Sequence, residues 1–211
     1  MRTYATIAAA LILSLTTMLL AGEFNKTLSV GDVAPDFKDL VGTDDKPHSL
    51  ADFDNKKILL VVFTCNTCEY ARDLDKRLVT FADEYVTDNN KVGVIAINSN
   101  KVEGDHPPAM KKKAEMVGYT FPYVWDETQA IAKEYGTTST PECFVLGPVV
   151  EGKRKIVYEG SFDNSPDGKD VKKKYVEEAV MAALEGKTPE TTETQAIGCL
   201  VRWEKAKRKK K

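Results

Sequence analysis

Cys65-Asn66-Thr67-Cys68 is the place in this 211-residue chain where residue type and spacing point most directly to chemistry. Two thiols with two residues between them can close a small disulfide ring, and the thiolate is the form that attacks another disulfide. The segment sits between an apolar run and an amphipathic helix. That puts Cys65 at a helix N-terminus, where unpaired N–H groups and the helix dipole favour an anion and lower the thiol pKa. On this reading Cys65 attacks a partner disulfide and Cys68, one turn further in, resolves the mixed disulfide. A zinc site would need two more ligands. Cys143, Cys199, His48 and His106 supply neither a second CxxC nor an HxxxH, so no metal is expected. A static structural disulfide fits the same two residues and stands as the alternative.

The elements that must hold this pair follow from periodicity. Ile58 to Phe63 is six apolar residues in a row, as in a strand buried on both faces. Tyr70, Leu74, Leu78, Phe81 and Tyr85 recur at helical spacing, and Val92 to Ile97 is a second buried strand. Residues 58–97 therefore read as a βαβ unit with parallel strands. Before it, Phe37 to Leu50 reads as a short β-hairpin around Gly42-Thr43-Asp44-Asp45. After it come a polar loop over 98–107, a helix from Pro108 to Val117, and an extended piece at Tyr123-Val124-Trp125. A short helix over Glu127 to Tyr135 follows, then a hairpin of Cys143–Leu146 with Lys155–Tyr158, a helix over Val171 to Leu184, and an extended segment to Trp203. The Lys111-Lys112-Lys113 and Lys172-Lys173-Lys174 runs read as solvated helix faces.

Composition bounds the rest. With 42% hydrophobic and 29% charged residues the chain is an ordinary globular one, long enough for a real core and not collagen-like or wholly disordered. Residues 202–211 carry seven basic residues against Glu204, while the chain between Arg2 and that tail holds 22 basic and 31 acidic residues. An acidic body is not that of a nucleic-acid binder. Arg2, the apolar run Ala5 to Leu20 and Ala21-Gly22 read as a signal peptide over 1–22, or as a membrane anchor if residues 5–20 are not cleaved away. Either way the chain is expected to be exported, periplasmic or secreted, into an oxidising compartment. Residues 202–211 form a basic C-terminal tail, of which Lys205 to Lys211 is expected to be disordered. It offers contact with anionic lipid at roughly 1 kcal/mol per basic residue, and the N-terminal segment offers another route to the membrane.

The residues taken together resemble the thioredoxin-like redoxins, the broad family of thiol-disulfide oxidoreductases and peroxiredoxins. Four pieces match in order: Val30-Gly31-Asp32-Val33-Ala34-Pro35-Asp36-Phe37; Ser49-Leu50-Ala51-Asp52-Phe53 with the strand that follows; Cys65 to Cys68; and Gly136-Thr137-Thr138-Ser139-Thr140-Pro141. The resemblance covers about 30–186. The Ile197-Gly198-Cys199 segment is similar to the end of a peroxiredoxin-like subgroup. It implies an α/β thioredoxin-like fold over 23–201: a central mixed β-sheet flanked by helices, with the hairpin as an N-terminal extension. It also implies a cis bond at Thr140-Pro141, in a loop that lies against the redox cysteines and pairs with an extended partner peptide. The expected activity is thiol–disulfide exchange with protein partners, regenerated by an external redox partner and needing no cofactor. The family's Trp before the CxxC is absent, with Phe63-Thr64 in its place. So is the peroxiredoxin pattern Pro-x-x-x-Thr-x-x-Cys, which leaves a thiol peroxidase as the second choice.

Two more cysteines carry open readings. Cys143 stands at the start of a core strand near the redox loop, and Cys199 lies in the terminal segment. Each is a buried free thiol on the plainer reading. The sharper reading pairs Cys199 with Cys143 or makes it an additional resolving thiol; four cysteines allow three full pairings. His48 and His106 read as solvated loop histidines, and Tyr123 and Trp125 as core or rim packing.

Overall fold

The computed structural model describes residues 22–86 and 91–205. In chain order its elements are β1 (Leu40–Val41), β2 (Pro47–His48), β3 (Ile58–Phe63), α1 (Glu69–Tyr85), β4 (Val92–Asn98), α2 (Pro107–Val117), β5 (Tyr123–Trp125), α3 (Ala130–Glu134), β6 (Ser139–Thr140), β7 (Glu142–Leu146), β8 (Ile156–Gly160), α4 (Tyr175–Leu184) and β9 (Cys199–Leu200). Five strands form one sheet in the order β5-β4-β3-β7-β8. β3 runs parallel to β4, with Ile58 opposite Val92, and antiparallel to β7, with Val62 opposite Cys143. The expected mixed sheet flanked by helices is therefore present, and β1 and β2 form the expected hairpin at its N-terminal side. Thr43 N–H donates to Tyr123 O at 2.9 Å and ties that hairpin to the β5 edge.

β3 is apolar throughout because it is central. Ile58, Leu60 and Val62 enter one core, with Leu74, Leu78 and Phe81 of α1, Met110 of α2 and Val176 and Val180 of α4. Leu59, Val61 and Phe63 enter the other, with Phe37, Phe53, Ile131 and Tyr135. Alternating side chains face opposite ways, so every β3 residue is buried, each contributing about 1.5–3 kcal/mol.

Several expectations shift. α4 starts at Tyr175, four residues late, because Asn164 Oδ1 accepts from the N–H groups of Lys172 and Lys173, both at 2.7 Å, and holds that stretch outside the helix. α3 is shorter than expected. Gln129 before it is left-handed (φ 61°), and the Asp126 carboxylate takes the Ala132 N–H at 3.0 Å. The 98–107 loop contains a 3-10 turn at Glu103–Asp105, and Asn98, Ser99, Asn100 and Asp105 are buried. Arg202 and Glu204 still bond to the body: Arg202 N–H donates to Asn100 Oδ1 at 2.8 Å, Glu204 N–H to Gln129 Oε1 at 2.7 Å. The sequence boundary at 201 thus falls inside a packed stretch. Residues 1–21 of the expected export segment and 206–211 of the basic tail lie outside the described residues. Among the described residues no helix is long and apolar enough to cross a membrane.

Candidate active site

The cysteine pair lies where β3 ends. Thr64 N–H makes the last bond of that ladder, to Ile97 O at 2.9 Å, and the chain then turns through Cys65-Asn66-Thr67. Cys68 is the N-cap of α1, with extended φ −80° and ψ 128°. The helix therefore begins three residues later than expected, and the thiol at its N-terminus belongs to Cys68. Asp105 accounts for the difference. Its buried carboxylate accepts from Asn66 N–H at 2.6 Å, Thr67 N–H at 3.0 Å, Thr67 Oγ1 at 2.7 Å and Asn100 Nδ2 at 2.9 Å. The anion these loop N–H groups stabilise is thus a carboxylate and not a Cys65 thiolate.

Both sulfurs meet the loop at Thr140-Pro141, whose peptide bond is cis. Cys65 Sγ lies 3.3 Å from Thr140 Oγ1, and Cys68 Sγ donates to Thr140 O at 3.0 Å. Cys65 is 0% exposed and Cys68 2%. Their acidities split. The hydrogen bond with Cys65 pushes Cys68 down to about 5 against the pull of burial, helped by Cys199 and by the Ala71 N–H of the first helical turn. Cys65 is pushed up by its role as the donor in that pair, by burial and by the Asp105 charge.

A buried ionic layer supports the loop. Lys113 Nζ lies 2.9 Å from Cys65 O and 2.8 Å from Asp75 Oδ1, which also accepts from Tyr119 OH at 2.6 Å. Tyr123 OH donates to Asn66 Oδ1 at 3.0 Å. Lys113 is therefore not on a solvated face: α2 turns Met110, Lys113 and Ala114 inward together. That spacing was a usable signal, masked by the neighbouring lysines. Asp75 likewise shares the buried face of α1 with Ala71, Leu74 and Leu78. Asp105 had no comparable signal in the sequence.

The structure brings Cys65, Cys68, Thr140, Pro141 and Cys199 together and leaves Cys143 apart. All four cysteines are free thiols. Cys143 points into the α1/α4 core, fully buried, with its pKa raised by that burial. Cys199 packs instead on Cys65, Cys68 and Ala71. Cys143 and Cys199 thus lie in separate clusters, and the structure does not bring them together as a pair. His48 is not solvated but pairs with Asp44 at 3.0 Å, and the His106 ring lies 5.6 Å from that of Trp125. Tyr123 is core and Trp125 is half-buried at the rim, under the Lys101 ammonium. Among the described residues no group of three or more His, Cys, Asp or Glu side chains is arranged to hold a metal ion.

The AhpC/TSA family model matches residues 30–157. No curated protein matches the sequence. Among solved structures, a hypothetical protein from Sinorhizobium meliloti 1021 is 33% identical, with 86% of this chain and 98% of that one covered and a TM-score of 0.78. An uncharacterized conserved protein from Geobacillus kaustophilus is also 33% identical, covering 84% and 94% with a TM-score of 0.76. The thioredoxin domain of a thiol-disulfide oxidoreductase from Bacteroides vulgatus is similar in fold alone: 21% identity, 61% and 87% coverage, TM-score 0.51. With its mixed sheet, its cysteine pair at the end of β3 and the family match over most of that sheet, the chain is a thioredoxin-like redoxin and belongs to the AhpC/TSA family.

Proposed function

We propose that this protein is a thiol–disulfide oxidoreductase that exchanges a Cys65–Cys68 dithiol and disulfide with partner proteins. The observation that carries this reading is the convergence of both sulfurs on Thr140, beside cis-Pro141, within 3.3 Å and 3.0 Å. The reaction needs only the pair itself: two thiols give up two electrons and two protons as one S–S bond forms, and a partner disulfide takes them up. The Cys65 hydrogen bond and the helix N-terminus favour Cys68 as the attacking thiolate, which gives up its bond to Thr140 O on ionising, and Cys65 as the thiol that closes the ring. This reverses the order expected from the sequence. Export through segment 1–22 would set the pair in an oxidising compartment, where an external redox partner resets it, with the N-terminal segment or the basic tail as routes to a membrane surface.

The test is disulfide reduction of a protein substrate such as insulin in the presence of dithiothreitol. Wild-type protein should accelerate it, and Cys68→Ser should abolish the acceleration. With Cys199 also replaced by Ser, Cys65→Ser should accumulate a mixed disulfide on Cys68; accumulation on Cys65 in Cys68→Ser instead would restore the opposite order of roles. A pair that resists reduction below about −300 mV, with no acceleration, would mark a static disulfide. Replacing insulin by hydrogen peroxide distinguishes a thiol peroxidase, which would consume peroxide with matching loss of thiols.

A further inference from the structure

Exchange with a partner meets an obstacle in this fold. Cys65 and Cys68 are 0% and 2% exposed, and the strand edge at Thr140, which an extended peptide would use, is occupied. The occupant is the chain's own β9, antiparallel to β6, with Cys199 opposite Thr140 and Leu200 opposite Ser139. The contact is close: a Cβ added at Gly198 would stand 2.1 Å from Thr140 O and 3.0 Å from Pro141 N, so only glycine fits there. The segment is also clamped at both ends. Val201 N–H donates to Thr138 O at 2.9 Å, and upstream Thr194 N–H donates to Glu159 O at 3.0 Å. In this register Cys199 lies on the Cys65–Cys68 cluster and presents its thiol and its backbone N–H to the Cys68 sulfur. Of the four cysteines, Cys199 alone reaches solvent.

We propose that Cys199 is a third exchanging thiol, carried on an internal strand in the position of a partner peptide, and that the buried Cys65–Cys68 disulfide passes through it to an external dithiol. The proposal rests on the exchange reading above. In the first step the Cys199 sulfur attacks Sγ of Cys68, the Cys65–Cys68 bond breaks, and Cys65 leaves and takes up the proton that Cys199 gives up. This isomerisation moves the disulfide to Cys68–Cys199 with no net oxidation. An external thiolate then attacks the half-exposed Cys199 sulfur and Cys68 leaves. The second external thiol attacks the resulting mixed disulfide, and Cys199 leaves and is reprotonated. The external dithiol is oxidised to its disulfide, and all three cysteines of the chain end reduced.

The local electrostatics suit this order. In the reduced protein, burial and the neighbouring Cys68 hold the Cys199 thiol up at about 11. The second cause disappears once Cys68 is in a disulfide. Cys68, pushed down to about 5, is a good leaving group in the outward step, since a more acidic thiol leaves faster. Cys143 cannot substitute, being sealed in the opposite core.

Disulfide mapping by mass spectrometry after acid quenching tests this on the full chain. Oxidised wild type should contain both Cys65–Cys68 and Cys68–Cys199. Cys65→Ser, treated with oxidised glutathione, should lose its glutathione adduct to an internal Cys68–Cys199 bond. Cys199→Ser should still form Cys65–Cys68, yet be reduced by dithiothreitol at least tenfold more slowly. Gly198→Val, which forces β9 off Thr140, should abolish the Cys68–Cys199 bond while keeping all four thiols. A glutathione adduct on Cys68 that persists beside a free Cys199, or reduction of Cys199→Ser at the wild-type rate, overturns the proposal. Failure of wild type to form Cys65–Cys68 at all would overturn the exchange reading itself, a different and separately visible outcome.

Discussion

Replacing Asp105 by Asn keeps the shape of the group that organises the cysteine loop and removes its charge. The carboxylate accepts four hydrogen bonds, two of them from the N–H groups of Asn66 and Thr67 through Oδ1, at 2.6 and 3.0 Å. An amide can keep these by placing its oxygen there. Its NH2 then faces Thr67 Oγ1, which can rotate to accept, and Asn100 Nδ2, which cannot. One buried donor is stranded, at about 1–3 kcal/mol, and the three remaining bonds lose their charge assistance, worth about 0.5–1.5 kcal/mol each. Since these effects overlap, a net loss of about 3 kcal/mol is expected, which for a urea dependence near 2 kcal/mol per molar lowers the unfolding midpoint by about 1.5 M. A second effect has the opposite sense. Asp105 opposes ionisation of Cys65, so Asp105→Asn should let that thiol titrate at lower pH. Urea unfolding of the reduced protein near pH 7 measures the first effect. Thiolate ultraviolet absorbance against pH, in a background with Cys65 as the sole cysteine, measures the second. A midpoint within about 0.3 M of wild type, or a Cys65 titration that does not move, would refute the assignment of Asp105 as both cap and charge.

Two further outcomes follow from buried charge. Lys113→Met strands the Asp75 carboxylate, 2.8 Å from the lost ammonium, and should cost about 3–5 kcal/mol in urea unfolding; adding Asp75→Leu should recover most of it. Glu142, buried in β7 next to the cis-proline, has its pKa raised by that burial to about 7. A raised carboxyl favours the neutral folded form, so its contribution is complete below about pH 4.5 and is lost as pH rises through about 7, by up to ~3 kcal/mol. Unfolding midpoints measured from pH 4.5 to 8 should therefore fall less steeply in Glu142→Gln than in wild type. An equal slope in both proteins would remove Glu142 as the cause.

The elements were legible wherever burial imposes a period. Ile58 to Phe63 had to be a two-faced central strand because six consecutive apolar side chains alternate into two cores, and the charges between Tyr70 and Tyr85 mark the outer face of α1. The cysteine pair was legible for the same reason, since it follows directly on that strand. What those rules could not supply is the direction of individual polar groups. Lys113 looks like its neighbours in a lysine run, but helical rotation turns it under Cys65 while Lys111 reaches Asp45 at the surface. Asp105 lies 37 residues beyond Cys68 in the chain and caps its loop only because β4 runs parallel to β3 and delivers both loops to the same end of the sheet. Cys143 and Cys199 could not be sorted from spacing. A core strand turns one away, and a two-residue ladder with β6 sets the other on Cys68. By itself the sequence determined the strands of the central sheet, the helices and the cysteine pair that follows the central strand, because burial and periodicity are local properties of the chain. The helix start at Cys68, the carboxylate and ammonium around the pair and the third thiol beside it were decided by tertiary structure alone, because they depend on which distant backbone groups share the end of one sheet.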